Sequence, residues 1–599
     1  MQFFNPLDKF YKSQTGAVCA DKEITFRVKG NFDSVVFVFK KDGNEEHFYQ
    51  KMQKNGNFFQ TSLTFSRGLY FYYFKVDGQV IGLGEGFEGR LMRSLSYFQL
   101  TVYDKDYSVP KWLNGGIIYQ IFPDRFCRGE KNKKISSDKV LHENWSDTPV
   151  FLPNSKGKII NNDFFGGDFK GIISKLNYLK NLGVTAIYLN PIFKAYSNHR
   201  YDTGDYMTID PLLGTEEDFI ELINKANKKG IKIILDGVFN HTGDDSLYFN
   251  KYDKYDSVGA YQSKKSPYYD WYIFKDFPED YESWWGITVL PDVNENSKSY
   301  VDFITGKDGV IERYTRLGIG GWRLDVVDEL PTEFVRKIRK AVKRINKDVT
   351  IIGEVWEDAS NKISYSVRRE YFQGKELDSV MNYPLKNAII NFVKNGDEKE
   401  LSWIIKEQLD HYPKVVVDSL MNMLSTHDTI RLITALAGKD MTGKTKLEMS
   451  KTFICKEELS LAKNMVKMAS LLQYTLCGVP SLYYGDEICM QGYVDPLNRK
   501  CYPWENEDEE LLEWFAFLGN LRKDYSAFTN GEYSELFAES GAFAFTRKDD
   551  KSELLIAVNN GNDNFDFEFD GVLYDLISKK SYKNTYTLKP KTFSVFIKK

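Results

Sequence analysis

From Gly116 to about residue 485 the chain alternates short apolar runs with amphipathic stretches, and this alternation limits the fold more than any other feature. The runs 117–122, 184–189 and 231–238 are mostly apolar and short, as strands buried on both faces are. Between them the period changes. Ile172, Leu176 and Leu179 share one face of a helix expected over 171–181, which Gly183 ends. Thr215 with Asp218 three residues on forms a variant of the capping box, and Phe219, Leu222, Ile223 and Ala226 supply that helix's buried stripe before Gly230. Five more strands are predicted at 321–326, 350–355, 379–383, 421–425 and 479–484. Strands joined through helices run parallel. Eight of them close into a barrel whose functional residues lie at the strand C-terminal ends. The fold class is multidomain α/β with a central (β/α)8 TIM barrel.

A chain of 599 residues is too long for one core. Residues 1–109 read as an N-terminal β-sandwich, because Asp42-Gly43 and Asp77-Gly78 are hairpin signals beside the strand-like runs 35–39, 46–49 and 70–76. The linker 108–110 leads into a catalytic barrel over 110–510. Its segment at about 242–300 is too long for an ordinary loop and reads as an excursion walling the active site. Residues 511–599, with alternating runs at 554–558 and 592–597, read as a C-terminal β-sandwich. There is no internal repeat.

Charge and composition exclude several function classes. A formal net charge of −4 offers no broad field for nucleic acid. No apolar run has the length of a membrane span, and residues 1–10 do not read as a secretory signal. The six cysteines (19, 127, 455, 477, 489 and 501) have neither metal-ligand nor disulfide-framework spacing. A cytoplasmic protein is expected. Aromatic residues make up 15% of the chain, and their rings fill cores but also give flat faces on which sugars stack.

Four strand ends carry chemistry. The third strand runs into Asp236-Gly-Val-Phe-Asn240-His241 and the fourth reads Gly321-Trp-Arg323-Leu-Asp325. The fifth ends Gly353-Glu354-Val-Trp356, and the seventh Ser425-Thr-His427-Asp428. Alternate strand residues share a face, so Arg323 and Asp325 point the same way. A guanidinium there favours an ionised carboxylate, as a nucleophile requires. Glu354, beyond an apolar strand and beside Trp356, is expected to be desolvated and so to keep a proton. Two carboxyls in different protonation states are what a glycosidase needs, and a separation of about 5–5.5 Å makes it a retaining one. Asp428 is a third carboxylate that can stabilise an oxocarbenium-like transition state. Alone, an Arg/Asp pair is more often structural, and Asp428 is as readily the cap of a helix at Thr429. Three of the six histidines, His199, His241 and His427, fall beside these segments. A metal site is the second reading, without a local HExxH-like spacing behind it.

In order and spacing, the segments 236–241, 321–325, 353–356 and 426–428 resemble the four characteristic motifs of the α-amylase superfamily, glycoside hydrolase family 13. The similarity is closest to its neopullulanase, cyclomaltodextrinase and maltogenic amylase group. Ile121-Phe-Pro-Asp-Arg-Phe126, Gly166-Gly-Asp168, Asn198-His-Arg-Tyr201-Asp202-Thr203, Tyr484-Gly-Asp-Glu487 and Asp495-Pro-Leu-Asn-Arg499 match that group too. The resemblance implies Asp325 as nucleophile, Glu354 as acid/base and Asp428 as transition-state stabiliser. It implies substrate contacts from Asp236, His241, Arg323, Trp356 and His427, with His199, Tyr201, Asp495 and Arg499 lining the non-reducing side of the cut.

The implied activity is retaining hydrolysis of α-1,4 bonds, with α-1,6 bonds open, in maltodextrins, pullulan or cyclodextrins. The alternatives are a transglycosylase (glucanotransferase) of the same superfamily and a non-catalytic glucan-binding protein. Homodimers through the N-terminal β domain are common in the group. No cofactor is expected to be required. Relatives with a calcium site use Asn and Asp after the Ile-Phe-Pro segment, where this chain has the cationic Arg128-Gly-Glu-Lys-Asn-Lys-Lys134, so the site looks degraded although Asp168 persists. The stretches Tyr281-Glu-Ser-Trp284-Trp285-Gly and Leu290-Pro-Asp-Val-Asn294 look more like pullulan- and starch-degrading relatives.

Overall fold

The computed structural model describes residues 2–130 and 133–599, and in it the alternation becomes a closed barrel. The strands are β1 (Ile118–Ile121), β2 (Ala186–Leu189), β3 (Lys232–Gly237), β4 (Gly321–Leu324), β5 (Thr350–Gly353), β6 (Ser379–Val380), β7 (Met421–Met423) and β8 (Val479–Tyr483). They pair in parallel in the order β6-β5-β4-β3-β2-β1-β8-β7. A parallel bridge from Met381 to Met421 joins the two ends. All eight expected strands are present.

The period of two decides which side chains fill the barrel. Ile118, Tyr188, Ile234, Ile352, Met421 and Val479 form the inner cluster. Their neighbours Tyr119, Ile187, Ile233, Leu235, Trp322 and Ile351 join the larger core under the helices. Glycine is required where strands crowd: a Cβ on Gly353 would lie 2.5 Å from Leu377 Cδ1. The register puts Asp236 of β3 opposite Arg323 of β4, and Arg323 opposite Ile352 of β5.

The capping box at Thr215 and Asp218 starts the helix Glu216–Lys228, with Phe219, Leu222, Ile223 and Ala226 buried. The single helix expected over 171–181 is instead two, Phe169–Ser174 and Leu176–Asn181. Lys175 between them turns to φ −101°, ψ 4°, and its N–H is shared by the carbonyls of Ile172 and Ile173. The excursion after β3 is mostly irregular. Bridges from His241 to Asp292 and from Ser283 to Pro291 pin it beside the strand ends.

In the N-terminal domain a seven-stranded and a three-stranded sheet enclose a core that includes Phe26, Phe37, Phe59, Tyr72 and Phe74. Asp77 and Gly78 both take positive φ at their hairpin. The C-terminal domain is one six-stranded antiparallel sheet. Phe537 near one edge meets Phe565 and Phe567 near the other at 4.5 and 5.4 Å, so the sheet folds over a core of its own. The sequence boundary at 510/511 falls inside the helix Glu509–Asp524, which packs on the barrel helix Lys456–Thr475; the C-terminal sheet begins at Glu532. Among the described residues, no helix is long and apolar enough to cross a membrane.

Candidate active site

The C-terminal ends of the strands open into a cleft of about 1340 Å³. Ten of the twelve residues singled out from sequence line it: His199, Tyr201, His241, Asp325, Glu354, Trp356, His427, Asp428, Asp495 and Arg499. Asp236 and Arg323 lie just beneath, both buried.

Arg323 organises the floor. Its Nη1 donates to Asp325 Oδ1 at 2.6 Å and to Asp236 Oδ1 at 2.8 Å, and its Nη2 sits 2.6 Å from Glu354 Oε2. Sequence reasoning gave this cation to Asp325 alone. The alternation rule covers one strand, whereas the reach to Glu354 depends on lateral register. The two carboxyls therefore sit on neighbouring nitrogens of one guanidinium.

Glu354 has two further donors, the Val326 amide at 2.9 Å and the Trp356 indole at 3.1 Å. Val326 holds φ 38°, a costly conformation for a β-branched residue, directly after Asp325. Trp356 stacks on Tyr383 at 3.8 Å and stays 46% exposed.

Three carboxylates facing one guanidinium cannot all ionise cheaply. Burial raises the carboxyl of Asp325 well above the ordinary range, against the pull of Arg323, and the negative charges of Glu354 and Asp236 add to the rise. Burial also raises Asp236. Burial and then the charge of Glu354 push Asp428 up to about 7, against Arg499 and Arg323. Asp236, Asp325 and Asp428 are therefore close enough to titrate as one coupled group. The expectation that Arg323 simply keeps Asp325 ionised gives way to this arrangement.

The imidazoles stay neutral. Burial and the nearby Arg499 hold His199 and His427 well below 6.5, and burial takes His241 down to about 4. Gln120 Nε2 lies 2.9 Å from His427 Nδ1, which leaves the proton on Nε2, 2.6 Å from the Tyr201 hydroxyl. That hydroxyl donates onward to Asp236 at 2.8 Å. Tyr201 lies parallel to His427 at 5.2 Å, so its ring orientation is set from both sides. Arg499 spans Asp495 at 2.8 Å and Asp428 at 3.5 Å. His241 stacks on Trp284, and both its ring nitrogens lack protein partners.

Sequence reasoning missed Glu329, whose carboxylate accepts from the indoles of Trp284 at 2.9 Å and Trp285 at 2.8 Å. Its place four residues after Asp325, just beyond a barrel strand, was the signal the sequence carried.

At the position compared with calcium-binding relatives, Asp168 sits among hydrogen donors. Asp168 accepts from the amides of Gly129, Glu130 and Gly171 and pairs with the ammonium of Lys133 at 2.8 Å. Each of these four partners of the carboxylate is a hydrogen donor, where a hard dication needs oxygen ligands. Lys131 and Asn132 of the lysine-rich stretch lie outside the described residues.

A family model described as alpha amylase, catalytic domain, matches residues 120–525. The amylopullulanase of Thermoanaerobacter thermohydrosulfuricus is 35% identical over 665 aligned residues, covering 96% of this chain and 44% of that protein. The cyclomaltodextrinase of Thermoanaerobacter pseudethanolicus is 32% identical over 531 residues, covering 84% and 82%. Among solved structures, the type III pullulan hydrolase from Thermococcus kodakarensis superposes with a TM-score of 0.70 at 26% identity, covering 100% of both chains. The chain spans half or less of the length of the amylopullulanases it matches.

Proposed function

The chain belongs to the alpha-amylase family, and on that premise we propose that it is a retaining hydrolase of α-1,4-linked glucans, with α-1,6 bonds within its chemistry. One observation carries the reading: Asp325 and Glu354 share Arg323 at 2.6 Å each, on the floor of an open cleft. In the first step Asp325 attacks the anomeric carbon while Glu354 gives its proton to the departing glycosidic oxygen. Arg323 occupies Asp325 Oδ1, so Oδ2 is the attacking atom. Asp428, with Arg499 and His427 around it, balances positive charge on the ring. In the second step Glu354, now a carboxylate, takes a proton from water, and the resulting attack breaks the Asp325 ester and frees the sugar.

Incubation with pullulan tests this. Panose reports α-1,4 cleavage and maltotriose α-1,6 cleavage. Glu354→Gln should lower turnover by about 10²–10⁴-fold where the leaving group needs a proton. Undiminished hydrolysis by that variant would refute the assignment. Transfer to sugar in place of water is the second reading, favoured by the aromatic rim at Trp284 and Trp285. Products longer than the substrate at high maltose would decide for it.

The donors around Asp168 support a catalyst that needs no calcium, so activity should survive chelation by EDTA. All six cysteines are unpaired, which supports residence in the reducing cytoplasm. Sedimentation velocity would test the homodimer implied by the family group.

A further inference from the structure

The segment that leaves β5 at Glu354 runs into a loop with a short hairpin, Ile363–Ser364 against Val367–Arg368. Its tip is Tyr365, 70% exposed. Trp285, at 79% exposed, stands on the rim of the cleft. Both hold left-handed backbone, φ 48° and 52°. That conformation is unfavourable for an aromatic residue and persists where surrounding contacts impose it.

Glu329 fixes the Trp285 indole at 2.8 Å. Ser364, next to Tyr365 in the hairpin, donates its hydroxyl to the Asp328 carbonyl at 2.7 Å, and Asp328 precedes Glu329 in the chain, so hairpin tip and indole anchor are neighbours. The base of the hairpin is held from another domain. Arg368 reaches both carboxylate oxygens of Asp42, in the N-terminal sheet domain, at 2.8 and 3.0 Å. Gln99 of that domain donates to Ser360 and accepts from Asn361, each at 2.8 Å. An ordinary surface tyrosine would need none of this.

Chemistry gives the side of the cleft. The acid must face the departing oxygen, so the segments leaving β4 and β5 beyond Glu354 flank the leaving chain. His199, Tyr201 and Arg499 stand at the ends of other strands. We propose that Tyr365 and Trp285 form an outer subsite that stacks sugars of the leaving glucan chain, and that the N-terminal domain aims it through Asp42 and Gln99. The proposal rests on the hydrolase reading above. Asp42 is a positioning residue and touches no sugar.

The test compares maltohexaose with a maltoside whose leaving group is 4-nitrophenol, which carries no leaving-side sugars. Tyr365→Ala should raise KM for maltohexaose about five- to ten-fold, the worth of one lost aromatic contact. Its kcat should stay within about two-fold, and both constants for the aryl maltoside should be unchanged. Asp42→Ala should give the same split in smaller measure, with D42E restoring KM. Gln99→Ala serves if D42A does not fold. Unchanged KM in Y365A, or equal losses on both substrates in D42A, would overturn the proposal. A parent chain that turns over neither substrate would overturn the hydrolase reading alone. The subsite is then judged by maltohexaose quenching of tryptophan fluorescence, which Y365A must weaken for it to stand.

Discussion

At the scale of single residues, the site sets several buried carboxyls around the single guanidinium of Arg323. Asp428 at about 7 is negative above that pH and neutral below it. Only the negative form stabilises an oxocarbenium-like centre. The profile of kcat/KM should therefore fall on its acid side from about pH 7 downwards. Arg499 lowers Asp428, so Arg499→Leu should move that limb to higher pH as well as weaken binding. A limb that stays in place would detach Asp428 from it. Asp325→Asn should remove the covalent adduct that mass spectrometry detects on the parent with a slow substrate. The carboxylates and Arg323 were legible because strand alternation and motif order mark them. The reach of Arg323 to Glu354 was not, since it is set by the stagger of β4 on β5. Glu329 and Tyr365 were equally hidden, because irregular segments carry no period to read.

At the scale of elements, the barrel strands were the most legible part of the chain, and the loops that serve them the least. The loop after β5 is an example. Its residue Asp358 accepts from the side chains of Ser360 and Asn361 and lies 3.1 Å from His411 Nδ1, at the end of the helix Glu398–His411. Burial pulls the imidazole down, but the bond and charge of Asp358, then the charges of Asp410 and Glu407, outweigh it and leave His411 above 6.5. Burial likewise raises Asp358, and the contact with His411 and the Ser360 donors more than reverse this, leaving it below 3.8. The signs follow from linkage. The histidine's contribution to stability is complete below 6.5 and fades as pH rises through its folded value. The aspartate's contribution is complete above 3.8 and fades as pH falls through its own. Their sum is greatest between those limits. His411→Gln should thus lower Tm more at pH 5.5 than at pH 8.5, as scanning calorimetry at the two pH values would register. An equal shift at both would mean that the pair adds nothing beyond packing.

At the scale of the whole molecule, the N-terminal domain is tied to the barrel by more than a linker. Lys12 of that domain pairs with Asp410 of the helix Glu398–His411 at 2.5 Å, with both side chains almost wholly buried. The same helix carries His411, and the loop it supports begins at Glu354, so the domain interface and the acid/base share one support. A buried ion pair adds little net stability over a well-packed apolar pair, but removing one partner leaves an uncompensated charge out of water, at about 3–5 kcal/mol. Lys12→Met should therefore destabilise the interface strongly, while Lys12→Met with Asp410→Leu should recover most of the loss. Chemical denaturation followed by intrinsic fluorescence would read this as an early transition in the single variant that is absent from the parent and from the double one. Hydrolysis of the aryl maltoside at low denaturant should decline together with that transition, because the helix that loses Lys12 also holds the loop leading from Glu354. If activity instead persists until the barrel unfolds, the two domains are joined but the support is not shared.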